Sequence, residues 1–227
     1  MTDIKYTLKR SDRKTVAIHI RDGLVEVRAP YNTSVSNIEG FIVSKEKWIR
    51  DKLAHCKARS EKKENFEINY GSLLLYRGDE YPLRALQGKR MGFDEQGFFV
   101  PPNLSADHIK DAVIQIYRLL AGRDIAEKVG RLSEQMGLYP KSIKINSAKT
   151  RWGSCSSKSN LNFSWMLIMA CDDVIDYIVV HELAHLREMN HSPRFWSIVE
   201  QFVPDYKDCR RRLKQLQLKL NEEDWDR

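Results

Sequence analysis

Residues 174–191 read VIDYIVVHELAHLREMNH, and their spacing constrains what the surrounding fold has to hold. Val174, Ile178, His181 and His185 fall on one helical stripe and Ile175, Val179, Leu183 and Leu186 on another, so the spacing predicts a helix buried over much of its surface. His181 and His185 are four residues apart, which turns both rings to one side, where two imidazole nitrogens can grip one zinc ion at about 2 Å. Glu182 sits beside them. A carboxylate there can take a proton from metal-bound water, whose pKa zinc lowers to about 7, and pass it to a leaving group. A catalytic zinc has three protein ligands and an open fourth position, and His191 is the third candidate. On an unbroken helix the step from His185 would carry His191 about 9 Å along the axis and off the face, so the helix has to stop in between. Asn190 tolerates the left-handed conformation at a helix end, and Ser192-Pro193 reads as N-cap and first position of a new helix, SPRFWSIVEQF. An unpaired His and Glu in so apolar a helix would cost roughly several kcal/mol, and three of the six histidines fall in residues 181–191. A shared metal explains both. His19, His55 and His108 lie apart and read as surface or core histidines.

Upstream, Ser142 to Asn146 reads as a strand, and NLNFSWMLI from Asn160 as another, joined by the Gly/Ser-rich turn RWGSCSSKS. If the LNFSW strand presents an edge beside the zinc helix, it is a surface to which an extended peptide can add; as an ordinary core strand it would not be. Arg151 and Arg187 are candidate anion contacts and Asn162 a candidate substrate contact, while Cys155 reads as a reversible metal ligand or a small packing residue. Ser105 can N-cap a long core helix, continuing through Gly122 and Gly130 toward Met136. Before it, TVAIHI and LVEVRA alternate with period 2 about Asp22-Gly23, a hairpin signal. Ser34 to Lys57 reads as one amphipathic helix and SEKKEN as a solvated connector. Short β-like pieces (LLLYRG, EYPLRAL, GFFV) fill residues 66–100, and Pro101-Pro102 suggests a boundary. The expected organisation is a β-rich subdomain with one basic helix over 1–102 and a second domain over 103–227.

The 227 residues carry a net charge of +7, with 42% hydrophobic and 30% charged side chains. That excludes disordered and fibrous classes. No segment approaches the roughly 20 apolar residues of a membrane span, the N-terminus lacks the apolar region of a secretory signal, and four scattered cysteines form neither a C-x-x-C pair nor a disulfide framework; a cytoplasmic location is expected. Residues 1–59 hold 13 Lys+Arg against 7 Asp+Glu. Nearly all of the surplus therefore lies in the front portion, where it permits nucleotide or nucleic-acid contact, although no helix-turn-helix, zinc-finger or RNA-recognition signature accompanies it.

The string HELAHLREMNHSPRFW, with KTRWGSCSSKSNLNFSWML upstream and RKTVAIHI, VEVRAP, EKWIRDKL and GDEYPLR in front, resembles the YgjP-like metallopeptidase family, related to SprT-like and minigluzincin zinc peptidases. The resemblance implies an α+β fold: a zincin-like core with an active-site helix bearing His181, Glu182 and His185, a small sheet, flanking helices, His191 as third ligand, and an N-terminal β-rich extension. The ligand spacing also fits metzincins, but those have Gly where this chain has Glu188. The reading that follows is a zinc-dependent peptidase acting on a peptide or protein. Two alternatives stay open. One is a metal-dependent nucleotide phosphohydrolase of the triphosphate pyrophosphatase type, against which stands the lack of a P-loop or a carboxylate cluster for Mg²⁺. The other is a peptidase acting on nucleic-acid-bound proteins, as SprT-like relatives suggest. Imidazole ligands accept other divalent metals besides zinc.

Overall fold

The computed structural model describes residues 3–225, which hold six α-helices and three small sheets in a mixed α/β chain. Two compact units are present: residues up to Phe66 with Asn221–Asp224, and Glu67–Leu220 with Trp225. The break falls at residue 66 and not at 102, because the strands of residues 73–100 pack on the long helix that follows them.

In the first unit, β2 (Ala17–Arg21) and β3 (Leu24–Pro30) form the expected hairpin, with Asp22 and Gly23 at φ 49° and 75°. Positive φ at both turn residues is what a type I′ turn demands. Strand β1 (Thr7–Ser11) pairs in parallel on the other side of β3. The single helix expected from Ser34 to Lys57 is two: α1 (Val35–Ser44) and α2 (Glu46–Glu64), separated by Lys45 at φ −110°, ψ 7°. The apolar stripe survives the break, with Ile38, Ile42 and Ile49 fully buried on Val25, Val27 and Ala29. SEKKEN is not a connector. Its first residues complete α2, Asn65 caps that helix, and Lys62 pairs with Glu222 at 2.7 Å.

In the second unit, β4 (Leu73–Tyr76), β5 (Asp79–Ala85), β6 (Gly92–Asp94) and β7 (Gly97–Val100) form a sheet in the order β4-β5-β7-β6. Behind it runs α3 (Ala106–Met136), capped at the front by the Ser105 hydroxyl, which accepts from the His108 amide, and closed by Gly137 in the left-handed region. Its 31 residues span about 46 Å. Fourteen of them are buried, because β7, the later three-stranded sheet and α4 all pack on it. Tyr76, Phe98, Tyr117 and Trp165 form a run of ring contacts, and the Tyr76 hydroxyl donates to the buried Asp124 carboxylate at 2.5 Å.

The second sheet has β8 (Ser142–Asn146), β9 (Gly153–Cys155) and β10 (Asn160–Ser164) in the order β8-β10-β9, with β10 parallel to β8 and antiparallel to β9. β10 is therefore the middle strand. The LNFSW segment has no free edge; the edge strands are β8 and β9, and the one that packs beside α4 is β9, inside what reads in sequence as a turn. Leu161 and Phe163 fix this order, since both point fully buried into the core. Trp165–Met169 continues as a buried 3-10 helix rather than as strand. Three helices complete the unit: α4 (Asp172–Ala184), α5 (Pro193–Phe202) and α6 (Tyr206–Leu220). Among the described residues no helix is long and apolar enough to cross a membrane.

Candidate metal centre

Helix α4 is held at its N-terminal end by polar contacts and along its length by burial. Asp172 and Asp173 in its first turn complement the positive helix terminus. They also pair outward, Asp172 with Arg77 and Lys128, and Asp173 with Arg212, while Asp176 meets Lys128 at 2.8 Å. Val174, Ile175, Val179, Val180 and Leu183 are all but sealed from solvent, so the helix cannot rotate without exposing them. That fixes the face on which His181 and His185 emerge.

The chain leaves helical repeat after Ala184. The Leu186 and Arg187 amides turn back to carbonyls three residues earlier, and the Ser192 amide bonds the Asn190 carbonyl at 2.7 Å. Asn190 does not take the left-handed conformation; tightening of the last turn ends the helix before that residue is reached. Ser192 then caps α5, accepting from the Phe195 amide, with Pro193 in the first turn. The corner brings His191 back over the helix. Ligand nitrogens of His181, His185 and His191 lie within 4.8 Å of one another, and Nε2 of His191 is 3.1 Å from Nε2 of His181. Nδ1 of His185 donates to the Glu188 carbonyl at 3.0 Å, leaving its Nε2 free to bind.

These residues fit a divalent metal. Burial, then the charges of His185, His191 and Arg210, push His181 down to about 3, so its ring stays neutral with a lone pair to give. His185 is lowered too, chiefly by burial. Glu182 is 5% exposed, and burial pushes its carboxyl up to about 8 against the opposing charge of Arg151. Its Oε2 and the Nδ1 of His181 are buried without a hydrogen bond among the described residues. Left so, each would cost about 1–3 kcal/mol; a dication beside the carboxylate offsets that cost and favours its ionised form. The site combines three convergent imidazoles with one dry carboxylate, the set that zinc chemistry uses.

Strand β9 shapes the carboxylate's position. A methyl group at Gly153 would sit 2.5 Å from Glu182 Oε1 and 2.6 Å from its Cγ. Only glycine lets the strand come so close. Gly153→Ala is expected to displace the carboxylate and lower kcat by about tenfold or more, with metal content unchanged; full activity in this variant would show that the contact is dispensable.

An aromatic wall backs the histidines. His185 stacks on Phe195 at 4.5 Å, and Trp196 lies nearly parallel to both His191 (5.7 Å, 24°) and Tyr206 (5.1 Å, 18°). Tyr177, one turn before His181, is buried with its hydroxyl raised to about 12, mainly by desolvation. Of the other expected contacts, Arg151 lies within electrostatic reach of Glu182. Asn162 sits on the middle strand between Ser154 and Lys144, and Arg187 is exposed on the turn after α4; no contact joins either to the histidines. Gly153, Tyr177, Trp196 and Arg210 are site residues that sequence reading misses. Only Gly153 leaves a signal, as a glycine within a strand-like run.

The zymogen of the metallopeptidase abylysin from Pyrococcus abyssi is similar over 40% of this chain and 92% of its own, at 22% identity and a TM-score of 0.38. The zymogen of jannalysin from Methanocaldococcus jannaschii is similar over 43% and 94%, at 20% identity and a TM-score of 0.34. No curated protein matches the chain. The family profile described as YgjP-like, metallopeptidase domain, matches residues 14–216. With that match covering most of its length and three histidines converging beside a buried glutamate, the chain belongs to the YgjP-like metallopeptidase family.

Proposed function

We propose that the chain is a zinc-dependent peptidase with a zincin-like core, in which His181, His185 and His191 hold the metal and Glu182 handles protons. The observation that carries this reading is the placement of a buried, unpaired carboxylate beside three convergent imidazoles and against an edge strand. When bound, the metal supplies a Lewis acid that polarises the scissile carbonyl and acidifies water. Glu182, held against Gly153, accepts the proton of the attacking water on Oε2 and delivers it to the departing amine. The outer edge of β9 offers unpaired backbone groups to an extended substrate, which adds as a further strand. Phe195 and Trp196 close one side of the site and limit water there. Zinc is the metal of choice for three imidazoles with an open position.

The test is metal analysis of the purified protein with a paired screen of unfolded proteins and peptides against nucleoside triphosphates. Peptide-bond cleavage with about one zinc per chain is expected. Turnover of triphosphates with no cleavage of any peptide would overturn the reading.

A further inference from the structure

Arg210 reaches the rim of the metal centre through Trp196 and has no carboxylate of its own among the described residues. Its neighbours hold two of the acids at α6: Arg211 and Arg212 both pair with Asp208, and Arg212 also holds Asp173. Arg210 makes no ion pair or hydrogen bond among the described residues and is exposed. It is nonetheless placed, since its guanidinium carbon lies 5.2 Å from the centre of the Trp196 ring. Such a contact contributes about 0.5–1 kcal/mol at an exposed site. Trp196 in turn lies against His191 at 5.7 Å and His181 at 5.9 Å, so one ring separates the cation from the metal-binding nitrogens. Cation–π contact leaves the edge donors of a guanidinium free, and a planar fork of donors matches a carboxylate.

We infer that Arg210, laid over Trp196 beside the histidine cluster, binds a carboxylate of the substrate, so that the site prefers peptides with a negative charge close to the scissile bond. This rests on the peptidase reading of the same site. The carboxylate has two sources, the peptide's own C-terminus and an acidic side chain, and the recognition chemistry is the same for both. A structural brace for α6 would need no exposed, acid-free guanidinium, because Arg211 and Arg212 already supply the ion pairs there.

The test uses peptides matched in pairs, one pair differing as C-terminal acid and amide, the other as internal Glu and Gln. The zinc-loaded protein is expected to favour the acidic member of at least one pair about tenfold in kcat/KM, through KM, the ratio that one charge-assisted hydrogen bond gives. The pair that shows the ratio identifies the source. Arg210→Gln should bring it close to one, and Arg210→Lys should retain part of it. Calorimetric binding of the same peptides to the zinc-loaded Glu182→Gln protein gives a second readout, independent of turnover. A tenfold difference in binding, with no cleavage of any peptide by the zinc-loaded parent, would sustain the carboxylate site and remove the peptidase reading. Cleavage or binding indifferent to the charge, or a preference that survives Arg210→Gln, would overturn the assignment. So would Arg210→Gln weakening nucleoside triphosphate binding while leaving the peptide pairs alone.

Discussion

The Glu182→Gln variant is expected to retain its metal and to lose about a thousandfold in kcat, within the range a positioned general base contributes. The amide has nearly the shape of the carboxylate, so the close approach of Glu182 to Gly153 survives. None of the three histidines changes, and metal content should remain that of the parent. What disappears is the ability to accept a proton. Stability should rise or stay level, because the parent buries a group that is costly to ionise: its carboxyl is held up to about 8 by desolvation in the metal-free chain. The sign follows from linkage. A carboxyl with a folded pKa above its unfolded value favours the fold below the unfolded pKa and loses that contribution as pH rises toward 8. The metal-free parent should therefore lose stability relative to Glu182→Gln between about pH 4.5 and 8. Retained turnover in a metal-loaded Glu182→Gln protein would remove Glu182 from the chemistry.

Much of the site is legible in the sequence because its determinants are local. The i, i+4 spacing of His181 and His185 is a property of one helix, and the restart at Ser192-Pro193 is cap chemistry that four residues contain. The hairpin at Asp22-Gly23 and the long helix after Ser105 are readable for the same reason. What resists reading is non-local. Nothing in TLKRS says that β1 will pair in parallel with β3, and nothing in GSC separates a short edge strand from a Ser-rich turn. Only the order of three strands puts β10 in the middle and leaves β8 and β9 at the edges, with β9 beside α4. Arg210 is harder still. It is one of three consecutive arginines, identical in sequence terms; Arg211 and Arg212 find Asp208 within α6, and only tertiary packing gives Arg212 the Asp173 carboxylate of α4 and lays Arg210 over Trp196 of α5. The break at Lys45 has no proline or glycine to announce it.

The His181→Ala variant is expected to purify with less than about a tenth of the parent's zinc and to show no measurable hydrolysis. His181 lies at the centre of the cluster, with its ring in contact with His185 at 4.9 Å, His191 at 5.0 Å and Phe195 at 4.8 Å, and its Nε2 facing that of His191. Burial also holds its ring neutral, so its lone pair needs no proton displaced from it near neutrality. Glu182 does. At pH 7 the carboxyl of the metal-free chain is largely protonated, and a dication alongside favours its ionised form. Loading zinc into metal-free parent protein at pH 7 should thus release close to one proton per ion, measurable as a dependence of calorimetric heat on the ionisation enthalpy of the buffer. The Glu182→Gln protein should bind zinc with almost no proton release. Zinc bound at a thousand times its Kd raises unfolding stability by about 4 kcal/mol, an increment that chelation should remove from the parent. His181→Ala should never show it. If His181→Ala instead binds zinc as tightly as the parent, the metal sits elsewhere and the three histidines are not its ligands.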